Sequence, residues 1–396
     1  GYDAVGNNVA VTDPKGAATE FVYDVLNRLT TVHFTDATSV SYAYDAFGNR
    51  LSIIDQKSNI TVNAYDIYER LSQTTDALGG TTQYAYDKTG NMTALTDANG
   101  HTTNYVYDAD GRLLSETTPL GHATNYSYDA VGNLVNKTDP DGNTIIYTYD
   151  ALNRLTRTQY RDGTSVAYSY DALGRQVAMT DGQGTAIYSY DALGRLLKTE
   201  GPESNEKISY AYDALGNRVS MTNQDGQIVN YTYDALNRLI IVTDEQGPTH
   251  YSFDALSNIT RISYPNGASI NYSYDVMNRP LLVVNKDAKN KKAEVFGYVY
   301  DPAGMVTKIM QGGGVSVEYG YDALNRLVQE TKKQESSSKK QEAKVKYDHQ
   351  YSYDAVGNRV ELIKHKGGED GKQIKETYGY DAGNRLLGLT RDKEKD

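Results

Sequence analysis

Thr144-Ile145-Ile146-Tyr147-Thr148-Tyr149-Asp150-Ala151-Leu152-Asn153-Arg154-Leu155 holds a strand, a turn and the start of a second strand. Its first half is β-branched and aromatic. Tyr147 and Tyr149 stand two apart, and so lie on one face of an extended chain. Asp150 opens the turn, because its carboxylate can accept from backbone N–H groups just downstream. Asn153 tolerates the positive φ that closes it. Leu155 begins the return strand. The stretch therefore predicts a hairpin with a type I turn and a left-handed bulge residue.

The same pattern recurs along all 396 residues. The aromatic residue before the turn aspartate falls at 2, 23, 44, 65, 86, 107, 128, 149 and 170, a constant step of 21. It continues at 190, 212, 233, 253 (a Phe), 274, 300, 321, 353 and 380. Three residues after the aspartate, 16 of the 18 units have Gly or Asn, the exceptions being Glu69 and Ser257. A second turn closes many units, as in Asp13-Pro14-Lys15-Gly16, Asp97-Ala98-Asn99-Gly100 and Asp139-Pro140-Asp141-Gly142. A fixed period of this size marks one supersecondary unit stacked on itself. The fold expectation is all-β: a continuous array of about 18 antiparallel β-hairpins winding as a spiral ribbon, shell or barrel-like solenoid. Its structural residues are typified by Tyr44, Asp45 and Gly48, by Tyr107, Asp108 and Gly111, by Tyr149, Asp150, Asn153 and Leu155, and by Tyr233 and Asp234.

The repeat overrides the two or three domains that this length would suggest. Residues 1–396 read as a single array. The sequence starts inside a repeat, which points to a fragment of a longer chain. No cysteine is present, which removes disulfides and thiolate metal sites. No apolar run is long enough for a membrane-spanning helix. The net charge of −11 is uneven. Residues 1–274 carry 18 basic and 32 acidic side chains, and residues 275–396 carry 22 and 19. An acidic bulk repels phosphate and speaks against nucleic acid as a partner. Residues 275–396 are also the irregular part. Three insertions fall at the second turn, within 286–292, 332–346 and 364–375, and they are rich in lysine. Lys291, Lys292, Lys332, Lys339 and Lys340 are the candidate interaction rim, because insertions confined to one edge of an array often mark its binding face. Solvated loops free to grow would give the same pattern.

Tyr-Asp followed by Ala, a variable residue, Gly or Asn, and Arg-Leu at this period resembles the YD-repeat, or Rhs-repeat, family. The resemblance covers essentially the whole chain. It implies a spiral of hairpins forming a large shell. Bacterial members enclose a C-terminal toxin domain, and the teneurins of animals are adhesion proteins. The leading expectation is therefore a non-enzymatic scaffold, a segment of a secreted or cell-surface shell that encapsulates or delivers a downstream cargo domain. Its partners would be the remainder of its own longer chain and that cargo. The alternative is an extracellular fibre or adhesin that binds cells, matrix or glycans. Open edge strands would allow self-association in either case. Strands ~4.8 Å apart give roughly 170 Å of ribbon, about one turn at an assumed diameter of ~50 Å. The family's Asp-Pro-rich cleavage segment has an echo in Asp301-Pro302-Ala303-Gly304, which sits within an ordinary repeat and reads as a turn.

Catalytic and cofactor signatures are absent from the sequence, and no cofactor is expected. The six histidines share no metal spacing, although His101 and His122 are one repeat apart. Asp139 to Asn143 has the alternating oxygens that suit calcium, without the acidic residue that would complete a loop. The aspartate column reads as turn caps rather than as paired acid–base carboxylates. The tyrosine columns suit either sugar stacking or packing.

Overall fold

The computed structural model describes residues 1–203, 206–289, 293–336, 343–367 and 373–393. Among them there are 35 strands and no helix, in one antiparallel sheet. The described pairings follow chain order, each strand bonding the one before and the one after it. Contact density divides the chain into two compact units. One comprises residues 1–104, 253–260 and 268–396, and the other 105–252 and 261–267.

The unit hairpin follows from its sequence. Thr144–Tyr149 pairs with Leu155–Gln159, and Tyr147 and Tyr149 are half-buried while Ile146 and Thr148 between them are exposed. That alternation is the period-2 signature of a strand with one covered face. Thr148 faces Arg157 but Tyr149 faces Leu155, so Thr156 is an extra residue on the return strand. The same register shift recurs in the other hairpins, at Tyr23, Tyr44, Tyr170 and Tyr353 for example. A bulge of this kind sharpens the local twist. It is a second irregularity beside the expected one at the turn.

The residue three after the turn aspartate has positive φ in all eighteen hairpins, from Gly6 at 93° to Asn384 at 61°. Glu69 (62°) and Ser257 (66°) adopt it too, so the two sequence exceptions keep the geometry at a steric cost. Glu69→Gly is accordingly expected to raise stability by about 0.5–1 kcal/mol, read as a higher denaturant midpoint.

The sheet has little conventional core. Among the described residues the buried apolar side chains are Val32, Val317 and Leu362. In a single layer of half-covered strands, each hairpin is held mostly by its neighbours.

The C-terminal insertions depart from the expected loops. Lys332 lies within the strand Leu327–Gln334, opposite Val317 and Tyr347. Strands here run to eight or ten residues, as in Lys344–Tyr353 and Arg359–Lys366, against six and five in Thr144–Tyr149 and Leu155–Gln159. Much of the inserted lysine therefore lengthens strands, because glutamates on the facing strands neutralise it. Glu318 takes Lys308 at 3.0 Å and Lys333 at 2.5 Å. Glu376, only 3 % exposed, takes Lys364 at 2.8 Å and Arg391 at 2.7 Å, and these cations hold its carboxyl down at about 2. Lys291, Lys292, Lys339 and Lys340 lie outside the described residues.

Candidate functional site at the hairpin rims

The Tyr-Asp pair that defines the repeat forms both a turn and a joint. Asp150 Oδ1 accepts from the backbone N–H groups of Leu152 (2.9 Å) and Arg154 (3.0 Å), and its Oδ2 takes Arg154 Nε at 2.7 Å. Its backbone closes the turn, with Asn153 N–H donating to Asp150 O. Arg154 then extends to the following repeat. It donates to Asp171 O at 3.1 Å, and its guanidinium lies 4.9 Å from the ring of Tyr170. Tyr170 donates its hydroxyl back to Leu155 O at 2.8 Å. Aspartate, arginine and tyrosine thus close a loop of contacts across the repeat boundary, as they do again where Arg28, Arg112 and Arg175 hold the same position. The tyrosine column is a set of hydrogen-bonded joints, a role that face alternation alone did not reveal.

The other representative residues occupy equivalent places. Tyr44 donates to Leu29 O, Tyr149 to Leu134 O and Tyr233 to Arg218 O, at 2.9–3.0 Å. Asp45 caps Phe47 and Asn49, with Asn49 Nδ2 in place of an arginine. Asp108 caps Asp110 and Arg112, and Asp234 caps Leu236 and Arg238. Tyr107 ends the strand Thr102–Tyr107. Gly48 and Gly111 hold the left-handed position at φ 99° and 77°. Asp301 to Gly304 forms the same turn, with Gly304 N–H donating to Asp301 O at 3.0 Å. Asp139 spends its carboxylate on Asp141 N, Asn143 N and Asn143 Nδ2, the pattern of a cap and not of a cation loop.

These bonds favour the ionised carboxylate, so Asp45, Asp108, Asp139, Asp150 and Asp234 titrate below the ordinary carboxylate value. Hydrogen bonds from the Arg154 side chain and backbone lower Asp150, and the Thr89 hydroxyl leads the contacts that bring Asp87 from 3.8 to about 2. A carboxyl whose folded pKa lies below its unfolded one lends stability that is complete above the unfolded value. That stability disappears as pH falls through the folded value. Thermal melts followed by circular dichroism should therefore be flat from neutrality to about pH 5 and fall steeply between about pH 4 and pH 2.

A second set of contacts lies within the first unit, between segments far apart in sequence. Lys15, in the second turn of the first repeat, reaches Asp254 Oδ2 at 2.6 Å and Asn278 Oδ1 at 3.3 Å, and lies 5.7 Å from the ring centre of Tyr274. Lys57 repeats this with Asp301 Oδ2 at 3.1 Å and Asn325 Oδ1 at 3.0 Å. Asn99 donates to Asp354 Oδ2 at 3.0 Å, and Asp36 lies 3.7 Å from Arg279. In each case the second turn of one repeat meets the Tyr-Asp turn twelve repeats later. Within this unit the ribbon lies rim to rim on itself.

The chemistry follows an alternation. Repeats thirteen, fifteen and seventeen have Asn258, Met305 and Asn358 four residues after the aspartate, and their carboxylates accept Lys15, Lys57 and Asn99. Repeats fourteen and sixteen have Arg279 and Arg326 there, each pairing with its own aspartate. Burial pushes Asp254 up, but hydrogen bonds from Lys15 and Asn258 outweigh it and hold the group below the ordinary carboxylate range. Among the described residues no cluster of three potential metal ligands occurs. His101 stands 3.8 Å from Asp97.

A Teneurin YD-shell family model matches residues 4–145, 91–231 and 189–341, in overlapping copies. Among solved structures the chain is similar to TcdB2-TccC3-Cdc42 and to TcdB2-TccC3, each at TM-score 0.83 and 16 % identity, with 98 % of this chain and 24 % of those chains covered. It is also similar to the Photorhabdus luminescens Tc holotoxin pore, at TM-score 0.79 and 17 % identity, with 94 % of this chain and 22 % of that one covered. The chain thus spans about a quarter of the length of the structures it matches. No curated protein sequence matches it significantly. The repeat turns, the inter-repeat joints and the match along most of its length place the chain in the Teneurin YD-shell family.

Proposed function

We propose that this chain is a non-enzymatic wall segment of a secreted or cell-surface shell that encloses or delivers a cargo domain carried elsewhere in a longer polypeptide. The observation that carries the reading is the rim-to-rim contact at twelve repeats, in which Lys15 and Lys57 clasp Asp254 and Asp301. A ribbon meant to extend freely has no use for a fixed register between distant repeats, whereas a wall built in layers requires one. The similar solved structures come from Tc toxin assemblies, which supports the same reading.

A fibre or adhesin that binds glycans is the second reading. It draws on a groove of about 550 Å³ bordered by Lys137, Asp139, Tyr160, Arg161 and Asp162, where an exposed aromatic ring stands among hydrogen-bonding groups. Electron microscopy of the full-length natural product separates the two. Closed particles with internal density are the expected result. Extended filaments would sink the encapsulation reading.

A further inference from the structure

The layered contact in the first unit supplies a template for a surface in the second. Three features mark a Tyr-Asp turn whose carboxylate accepts a side chain from another layer. Its aspartate has no Arg four residues on, but Asn after Asp254 and Asp354 and Met after Asp301. The next repeat places Asn at the left-handed position. The residue at the turn's apex is covered. At the occupied site, Asn258 Nδ2 donates to Asp254 Oδ2 (3.0 Å) and to Asn278 Oδ1 (3.2 Å), which orients both oxygens toward Lys15 Nζ.

Two turns of the second unit carry the same socket with no ammonium in it. Asn133 Nδ2 donates to Asp129 Oδ2 (2.9 Å) and to Asn153 Oδ1 (3.0 Å). Asn217 Nδ2 donates to Asp213 Oδ2 (3.0 Å) and to Asn237 Oδ1 (3.1 Å). Arg112 and Arg195 donate to the backbone carbonyls of Asp129 and Asp213, and among the described residues no cation pairs with either carboxylate. The apex residues differ in the same direction. Leu256, Met277 and Leu324, on the layered turns, are half-buried. Their equivalents Leu152, Leu173, Leu193, Leu215 and Leu236 are 70–77 % exposed and form an apolar row along this rim. Such a row flanked by unfilled acidic sockets is the profile of an unpartnered interface.

We propose that the Tyr-Asp rim of the second unit is a docking edge for the second turns of further YD repeats, with lysines at the third turn position seated in the Asp129–Asn153 and Asp213–Asn237 sockets. The proposal rests on the reading of the chain as part of a layered wall. Further repeats are favoured over a second copy of this chain on two grounds. The turns of Lys15 and Lys57 are already engaged within the chain, and the matched structures are about four times as long.

Zero-length carbodiimide coupling joins a lysine to a carboxylate it touches, and it captures contacts too weak to isolate. The purified chain would be treated in the presence of a cyclised peptide carrying Thr12-Asp13-Pro14-Lys15-Gly16-Ala17, and the amides mapped by mass spectrometry. Internal Lys15–Asp254 and Lys57–Asp301 amides are expected, and they test the layered reading by themselves. Peptide adducts should favour Asp129 and Asp213 over the arginine-paired Asp150 and Asp171 by about fivefold. Moving the peptide's lysine to the second turn position should abolish that preference. Internal amides with evenly spread or absent adducts would overturn the docking edge alone. Missing internal amides would overturn the layered reading and the docking edge together. Lys15 coupled to Asp129 of another molecule, in a concentration-dependent dimer, would make a second copy the occupant and refute the assignment to further repeats.

Discussion

Tyr353→Ala is expected to destabilise the array by about 3 kcal/mol, and Tyr353→Phe by about 1 kcal/mol. The half-buried ring of Tyr353 lies 4.9 Å from the guanidinium of Arg326, and its hydroxyl donates to Leu327 O at 2.7 Å. Phe keeps the ring and the cation contact but leaves that carbonyl without its partner. Ala removes all three contributions and opens a gap between neighbouring hairpins. Denaturant midpoints measured on the two variants separate the ring from the hydroxyl. Equal losses would mean that the hydroxyl bond carries the joint, contrary to the packing argument.

Asp322→Ala is the companion case, with an expected loss of about 2 kcal/mol. The Asp322 carboxylate accepts from Leu324 N and Arg326 N at 2.9 and 3.0 Å, and from Arg326 Nε at 2.7 Å. Removing it strips the cap from the turn and frees Arg326, which also donates to Asp354 O at 2.8 Å. Asp322→Asn keeps an acceptor for the backbone and should lose roughly half as much. Since Arg326 links Asp322 to Tyr353, the double variant Asp322→Ala with Tyr353→Phe should lose less than the sum of the two single changes. Groups that share one partner are not independent.

The hairpin was legible because its signals are local. A β-branched run, an aspartate at the turn and a residue tolerant of positive φ all fall within a dozen positions, and repetition removed the ambiguity of any single copy. Glu69 and Ser257 looked like defects, yet they follow the same path because their neighbours impose it. The Thr156 bulge has no residue signature and was missed. The tyrosines were recognised as a column, but not as donors to the preceding hairpin, because face periodicity says nothing about where a hydroxyl ends up. A run of lysines inserted at a turn reads as loop, and Lys332 departs from that by lying in a strand. The strand pairing of this region is signalled by Glu318, Glu361 and Glu376, which take the inserted Lys333, Lys375 and Lys364. The layer contacts were the least accessible. Lys15 and Asp254 are 239 residues apart, and only the alternation of Asn or Met with Arg after successive aspartates hinted that some carboxylates await a cation from elsewhere.

That alternation makes the array count in twos. Loss of a single repeat between residues 104 and 253 would bring Lys15 opposite Asp275, which Arg279 already holds, and Asp36 opposite Asp301. Every clasp would then meet a like charge or a satisfied one. Loss of two repeats would restore the match, with Lys15 against Asp301 and Asp36 against Arg326. Tandem repeats are prone to gain or lose copies, and here the rims act as a parity check on such events, passing even steps and rejecting odd ones.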